Sequence, residues 1–170
     1  MTAIAPGDEL VDVVTDDGSV VGRVTRREMR ARRLPHRSTY ILVFNRRGEL
    51  FVHLRTATKD VYPSHWDVCV GGVLAAGESF EAGAARELAE ELGVTTTLEA
   101  LFPLRYADPS TIVHGMVYRT THDGPFRLQP EEIVRGEFVA ADDLPARIAF
   151  EPFCPDGLVV LERLREALAR

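Results

Sequence analysis

Three glutamates in the middle of the chain are the residues whose types and spacing could do chemistry. Glu87, Glu90 and Glu91 are three and four positions apart, so on an α-helix their side chains would project from one patch of surface. Like charges at this spacing destabilise a helix by a few tenths of a kcal/mol per pair, and a divalent cation would reverse that effect. Hard oxygen ligands in a compact cluster suit Mg²⁺ or Mn²⁺. The three glutamates are therefore candidate metal ligands, with a solvated acidic face as the alternative.

The surrounding residues predict the helix that this arrangement needs. Ser79 is suited to the N-cap and Gly93 to the end of the helix, and the residues between them favour helix apart from Gly83. We expect a helix over residues 79–92. Its buried face should carry four residues: Ala84, Ala85, Leu88 and Leu92. Gly83 lies one turn before Glu87 and would leave room for close approach.

The stretch from Gly72 to Val94 resembles the Nudix box as a whole. That pattern is a glycine, five residues, a glutamate, seven residues and then Arg-Glu-aliphatic-any-Glu-Glu-any-Gly-aliphatic, and every fixed position is filled here. The resemblance implies an α/β fold, the Nudix-type α/β/α sandwich with a mixed central sheet, formed by residues 1–170 as a single domain. It also implies structural roles within the motif for three residues: Gly72, Glu78 and Arg86.

The resemblance implies a reaction as well as a fold. Nudix hydrolases use water and Mg²⁺ or Mn²⁺ to cleave a diphosphate bond in a nucleoside diphosphate linked to another group X. Carried over by position, Glu87 and Glu91 are metal ligands, and Glu90 is a ligand or the residue that orients water, so all three are candidate catalytic residues. Glu131 and Glu132 are candidates for a distant carboxylate that acts as a base or an extra ligand, with an exposed acidic pair as the alternative.

Two cations that precede the motif are candidate substrate contacts. Arg55 ends a predicted strand, and Lys59, the only lysine, follows in the next loop. Cations near the metal could neutralise substrate oxygens that the metal does not reach. We predict that both contact the diphosphate, with surface salt bridges as the alternative. A short helix beginning at Thr25 carries further arginines, for which a solvated face is favoured over contact with an anionic ligand: Arg26, Arg27, Arg30, Arg32 and Arg33.

Hydrophobic alternation and turn residues predict the remaining elements. The chain should open with a β-hairpin of residues 9–15 and 20–25, followed by a second hairpin of residues 39–44 and 50–55. Further strand material is expected from Trp66 and at residues 94–100, 103–106, 112–120 and 132–140. Asp142 is predicted to cap a short helix, and residues 157–169 a closing helix. Strands interleaved with helices indicate a mixed sheet between helical layers.

Composition excludes several classes of protein. A net charge of −6 argues against a general nucleic-acid binder, and no apolar run approaches transmembrane length. Cys69 and Cys154 stand in separate contexts without metal-ligand spacing, so neither a disulfide framework nor a zinc site follows. No signal peptide is visible, and a cytoplasmic setting is the simplest expectation. The expected partner is a small-molecule diphosphate rather than a membrane, and the resemblance adds a homodimer as a common assembly.

A second resemblance, to the isopentenyl-diphosphate isomerase branch of the same superfamily, supplies a rival function. It is carried by RLPHRSTYILVFN, RTATKDVYPSHWD and the N-terminal hairpin. The isomerase cysteine would fall at Gly71 and a nearby metal histidine at Val73. Cys69 is displaced from that position by about 6–7 Å along a strand, so we interpret it as a small buried residue. His36 stands where the isomerase offers a metal histidine, although such a residue is usually a satisfied polar group.

Hydrolysis is favoured over both alternatives. The isomerase box is degenerate, whereas this one is intact. A catalytically silent module that binds a nucleotide or a partner is the third interpretation, and the intact set of box carboxylates argues against it. The identity of X does not follow from the box, because specificity depends on loops outside it.

Overall fold

A mixed β-sheet of eight strands organises the computed structural model, which describes residues 5–169. The strands are β1 (Leu10–Val14), β2 (Val20–Thr25), β3 (His36–Phe44), β4 (Leu50–Arg55), β5 (Trp66–Asp67), β6 (Glu99–Ala107), β7 (Ile112–Thr121) and β8 (Ile133–Val139). The helices are α1 (Arg26–Ala31), α2 (Phe80–Leu92), α3 (Leu144–Phe150) and α4 (Pro155–Leu168), preceded by a 3₁₀ turn at Pro6–Asp8. The predicted N-terminal hairpin is β1–β2, which pair antiparallel.

The central strand β3 has different partners on its two edges. Along one edge it runs parallel to β7 over nine paired positions, from His36 to Phe44. On the other edge β4 pairs with β3 at Phe44↔Leu50 and then pairs antiparallel with β8 instead. The two arms of this hairpin therefore diverge, and the segment leading to α2 pairs with β3 through the bridges Ile41↔Val70 and Ser38↔Val73.

Alternation along β3 divides the core between the two faces of the sheet. Ile41 and Val43 pack in one cluster with three residues of α2: Ala84, Leu88 and Leu92. Tyr40 and Leu42 pack in the other cluster with two residues of α4: Val160 and Leu161. Successive side chains of a strand point to opposite faces, so the sheet lies between two helical layers. The predicted α/β/α sandwich with a mixed sheet is confirmed.

Helix α2 closely matches its prediction. Ser79 Oγ accepts a hydrogen bond of 3.1 Å from the Ala82 amide, and Gly93 ends the helix with a φ of 68°. The prediction that Ala85 is buried is wrong: this side of the helix faces solvent. The room left by the missing side chain of Gly83 is filled from within the protein: an added Cβ would lie 3.0 Å from Leu74 and 3.2 Å from the Glu78 carboxylate. The preceding loop, rather than a ligand, occupies that space.

Several predicted boundaries are wrong for identifiable reasons. Residues 94–98 form no strand, because Val94 packs into the core beside α2 and pairing begins only at Glu99. Asp142 does not cap α3; Asp143 occupies the N-cap position and its side chain makes no capping bond. Helix α4 begins earlier than predicted, at Pro155. None of the helices in residues 5–169 combines the length and apolar character needed to cross a bilayer.

Candidate active site

Two adjacent glycines bring the loop before α2 against β3. The amide and carbonyl of Val70 bond to Ile41, and the Gly72 carbonyl accepts a bond of 3.0 Å from the Thr39 amide. Gly71 has a φ of 140°, and an added Cβ would lie 2.2 Å from the Thr39 carbonyl oxygen. At Gly72 an added Cβ would lie 2.9 Å from Glu87 Oε1. Only glycine fits at the first position, and at the second the missing side chain leaves the Glu87 carboxylate its space.

The loop is braced by Glu78 and Arg86, as the resemblance implies. Arg86 Nε and Nη2 donate to the two Glu78 oxygens at 2.8 and 2.9 Å, and one of these oxygens also accepts from the Ala75 amide at 3.0 Å. The hydrogen bonds from Arg86 lower the pKa of the Glu78 carboxyl, against the opposing effect of burial. Paired bonds of this kind fix geometry as well as adding energy. The start of α2 is thereby attached to the loop that carries Gly72.

Asp12, which sequence reasoning did not single out, holds the same loop from the N-terminal hairpin. This buried carboxylate accepts from the Gly77 amide at 2.8 Å, from Arg37 at 2.8 Å and from Arg23 at 3.0 Å. The sequence does contain a sign of this role, because Asp12 is a single acidic residue among apolar neighbours in the strand Leu10–Val14. A buried charge must be paired and hydrogen-bonded, so this position could have been marked as a structural ion pair.

The three box glutamates differ in environment. Glu87 and Glu91 are buried on the inner side of α2, whereas Glu90 is exposed. Burial is the largest cause that raises the pKa of Glu87, and burial together with the Glu87 charge raises the pKa of Glu91 to about 8. Two neighbouring carboxylates are costly to hold as buried anions. A proton or a cation would relieve that cost.

The prediction that the three glutamates hold a divalent cation stays a prediction. Within residues 5–169 no group of three acidic, histidine or cysteine side chains is arranged to hold a metal ion. Arg86 engages two of the three carboxylates, because its Nη1 donates to Glu87 Oε1 at 2.9 Å and to Glu90 Oε2 at 3.1 Å. The residue types still fit a hard divalent cation, because Glu87 and Glu91 supply buried oxygens. The space above Gly72, which a Cβ would fill, lies directly against Glu87.

The two predicted substrate contacts lie near α2 and have protein partners. The Lys59 ammonium pairs with the Glu132 carboxylate, and burial together with the charge of Arg55 lowers the pKa of Lys59 to about 8. Arg55 donates to the Val61 carbonyl at 2.9 Å and lies 3.4 Å from Asp67. Both cations lower the pKa of Glu91, so their charges act at the box. They are internal ion pairs rather than surface salt bridges.

Glu131 and Glu132 are separated by the structure. Glu132 reaches the box through Lys59, and its turn is attached to α2 because the Gln129 amide donates to the Glu91 carbonyl at 3.0 Å. Glu131 is exposed, and its carbonyl accepts from Thr56 Oγ1. Of the two candidates left open by the sequence, Glu132 lies at the site.

These residues line two adjoining spaces. The first, the outer cleft, is lined by the acidic side of α2 and by Glu132. The second, the inner cavity, lies behind it, with walls that include Arg30, His36, Arg55, Tyr62, Asp67 and Asp156. Four residues border both spaces: Arg26, Lys59, Gly71 and Gly72. Sequence reasoning assigned Arg26 and Arg30 to a solvated face, although their spacing of four places them on the same side of α1.

The residues offered for isomerase chemistry take structural roles. Cys69 is buried and free, and burial raises the pKa of its thiol, which agrees with its interpretation as a small buried residue. His36 is buried, with Nδ1 bonded to the Leu34 carbonyl at 2.9 Å, and burial lowers its pKa to about 4. At Gly71, where the isomerase cysteine would fall, no side chain fits. Val73 lies in the core.

Comparison with known proteins settles the family. The family model described as the NUDIX domain matches residues 34–157. The chain belongs to the Nudix hydrolase family. A relative from Pseudomonas aeruginosa, the uncharacterized Nudix hydrolase PA4841, is 38% identical over 160 residues, which cover 94% of this chain and 95% of the relative.

Solved structures give the same result for the Nudix fold. DR0079 from Deinococcus radiodurans has a TM-score of 0.81 and 29% identity, over 91% of this chain and 98% of that one. The NUDIX domain of Shewanella oneidensis NrtR, complexed with ADP ribose, has a TM-score of 0.62 and 18% identity, over 78% of this chain and 87% of that one. At that identity the second likeness concerns the fold alone.

Proposed function

We propose that this Nudix protein hydrolyses a diphosphate bond in a nucleoside diphosphate linked to a group X, with Mg²⁺ or Mn²⁺ at the box. The observation that carries the proposal is the pair of buried carboxylates, Glu87 and Glu91, which line the outer cleft, with Glu87 against the gap left by Gly72. Burying two neighbouring carboxylates costs folding free energy unless a cation balances them. Binding of a functional cation therefore accounts for the two buried glutamates better than a contribution to stability does.

The residues of the chain would divide the work. Glu87 and Glu91 would hold the cation, which when bound supplies Lewis-acid polarisation of a phosphoryl oxygen. A box carboxylate or Glu132 would accept the proton of the attacking water. Lys59 would neutralise charge on the diphosphate oxygens, and Arg55 would do so from the side of the inner cavity. Arg86 would hold Glu87 in place and keep its brace with Glu78.

A hydrolysis assay tests the proposal. The full chain would be incubated with Mg²⁺ or Mn²⁺ and a panel of nucleoside diphosphate derivatives, starting with ADP ribose because the Shewanella domain binds it within the same fold. Glu91→Gln should lower kcat by about 10²-fold or more, because it removes a ligand of a cation whose Lewis-acid effect is worth several kcal/mol. The matched control is Glu166→Gln, an exposed glutamate of α4, which should leave kcat unchanged.

The alternatives predict different outcomes of the same assay. Saturable binding without turnover would indicate the silent module. Conversion of isopentenyl diphosphate to dimethylallyl diphosphate would indicate the isomerase. That activity is disfavoured because Gly71, where the isomerase cysteine would fall, has no space for a side chain. Full activity in Glu91→Gln would contradict the proposal directly.

A further inference from the structure

The inner cavity contains an arginine whose charge is poorly matched. Arg30 is largely buried, with 21% of its side chain exposed, and its Nη1 lies 3.3 Å from Thr111 Oγ1. Its Nε is buried and makes no hydrogen bond within the described residues. The carboxylate that pairs with it, on Asp60, lies 4.0 Å away and is mostly exposed. A buried donor without a partner is costly, so this position calls for an acceptor that enters the cavity.

Arg26 adds a second unmatched cation beside it. Elsewhere on α1, Arg27 pairs with Asp8 and Arg32 pairs with Glu28. Arg26 borders both the outer cleft and the inner cavity, and within residues 5–169 it forms no ion pair. Its charge adds to the effect of burial in lowering the pKa of Arg30 to about 10. Like charges held this close favour binding of an anion between them.

Two other cations of the cavity have closer carboxylate partners, although the Arg55 Nε, like that of Arg30, makes no hydrogen bond within the described residues. Arg55 is matched by Asp67 and Lys59 by Glu132. Asp156 accepts a hydrogen bond of 3.0 Å from the Tyr40 hydroxyl, a neutral group that leaves the charge of this carboxylate without an ion pair. Cations still outnumber carboxylates around the cavity by four to three. In the part of the chain that the structure describes, the two cavity cations that lack a close ion-pair partner are Arg26 and Arg30.

We propose that Arg30 and Arg26 bind a phosphate group carried by X. The substrate would then extend from the outer cleft, where its diphosphate is cleaved, past the bare backbone of Gly71 and Gly72 into the inner cavity. Two guanidinium groups offer more donors than the two oxygens of a carboxylate can accept, which favours the three free oxygens of a phosphate. The inference rests on the proposed hydrolase function for the role of the site, but not for the existence of the site.

A binding experiment tests the site without any turnover. The full chain in metal-free buffer would be titrated with inorganic phosphate and followed by calorimetry. Arg30→Ala should weaken phosphate binding by about tenfold or more, the range for losing a charge-assisted hydrogen bond. Arg32→Ala, which removes the same charge from the exposed side of the α1 region, is the matched control and should bind like the natural chain. Absence of phosphate binding to the natural chain, or equal binding by Arg30→Ala, would overturn the proposal.

Two further arms keep the test decisive. If Arg30→Ala unfolds, Arg30→Gln keeps part of the aliphatic stem and a polar end while removing the charge, and it should show the same loss. In the hydrolysis assay, Arg30→Ala should raise KM about tenfold for substrates whose X ends in a phosphate, with kcat little changed and no effect on their unphosphorylated counterparts. An equal rise in KM for both classes would contradict it. If no substrate is cleaved, the hydrolase proposal fails, and the phosphate titration still decides whether Arg26 and Arg30 form a phosphate site.

Discussion

Arg86 donates hydrogen bonds to three different carboxylates, those of Glu78, Glu87 and Glu90. The two bonds to Glu78 run in parallel and brace the loop, while the others hold the acidic side of α2. A planar guanidinium can make these contacts together, and an ammonium cannot. One side chain thus sets the geometry of both the loop and the cleft.

Arg86→Lys should therefore destabilise the fold. We expect the free energy of unfolding to fall by about 1–3 kcal/mol, because Glu78 loses a bidentate partner in a partly buried site. Urea unfolding measures this, and Arg165→Lys on the exposed side of α4 is the control. A double-mutant cycle with Glu78→Gln should give a coupling energy of about 1 kcal/mol or more. A coupling near zero would show that the brace contributes nothing.

Glu91 should make the stability of the metal-free protein depend on pH. Its pKa is about 8 in the folded chain and about 4.3 in an unfolded one. Between these values the folded state keeps a proton that the unfolded state has released, so stability falls as pH rises through this window. Glu91→Gln should remove this contribution to the slope and stabilise the protein at pH 8 by on the order of a few kcal/mol.

Urea unfolding in chelator at pH 5.5 and pH 8.5 checks this expectation. Adding Mg²⁺ should restore stability to the natural chain at the higher pH and do little for the variant, because a ligand stabilises only the state that binds it. Parallel pH slopes for the two proteins would contradict the assignment of a buried carboxyl at this position.

At the level of elements, the two adjacent glycines of the box loop should respond differently to a methyl group. Gly71→Ala places a Cβ 2.2 Å from the backbone of Thr39 at a φ of 140°, so we expect a loss of about 2 kcal/mol or more in the free energy of unfolding. Gly72→Ala meets the Glu87 side chain instead, which can move. This variant should keep most of its stability and lose affinity for the divalent cation.

Thermal unfolding and a metal titration distinguish the two variants. Gly48→Ala, in an exposed turn with no atom within 4 Å of the added Cβ, controls for the loss of a glycine at positive φ. If Gly71→Ala and Gly72→Ala were equally stable and lost metal affinity equally, the two glycines would not have the separate roles assigned to them, which are backbone packing for Gly71 and space for Glu87 for Gly72.

Local signals predicted most elements and missed those that depend on distant contacts. Helix α2 carries its own cap and stop, Ser79 and Gly93, so the sequence sufficed. A strand from Trp66 was also predicted, but the end of β5 at Asp67 and the unpaired stretch after Gly93 depend on which partner strands reach them. The position of α1 shows the same limit for the site: its capping by Thr25 was predicted, but not that packing of the buried Met29 directs Arg26 and Arg30 inward.

For the whole molecule, acid sensitivity should come from two buried histidines. Burial lowers the pKa of His36 and of His53 to about 4. As pH falls from 6.5 towards 4, the unfolded chain protonates these histidines and the folded chain does not, so their contribution to stability is lost in this range. Burial raises the pKa of Asp156 to about 6 and that of Glu91 to about 8, and both carboxyls oppose that loss in the metal-free protein, because the folded state then holds protons that the unfolded chain lacks.

Substituting one histidine measures its share. His53→Gln should reduce the loss of stability between pH 7 and pH 5 by on the order of 1–3 kcal/mol, as followed by urea unfolding at the two values. His65→Gln, nearer the surface, should leave the loss as it is. An unchanged pH dependence in His53→Gln would show that His53 does not account for the effect.

The fold class of the whole sheet could be predicted from the sequence, but the order of its strands could not. Alternating strands and helices indicated a mixed sheet between helical layers, and this is confirmed. The parallel pairing of β3 with β7 joins segments more than seventy residues apart, and no local pattern encodes it. The inner cavity arises from that long-range arrangement, which is why the sequence led to the outer cleft and not to the space behind it.

The single tryptophan has a practical consequence. The guanidinium carbons of Arg135 and Arg147 lie over the Trp66 ring, 5.1 and 4.5 Å from its centroid. The Trp66 backbone is hydrogen-bonded to Pro152 and Cys154, on either side of Phe153. Its surroundings are thus supplied by β8 and by the segment that carries α3 and α4, away from the acidic cleft. Its fluorescence will report detachment of this C-terminal layer, giving an optical signal for unfolding that is separate from ligand exchange at the glutamates.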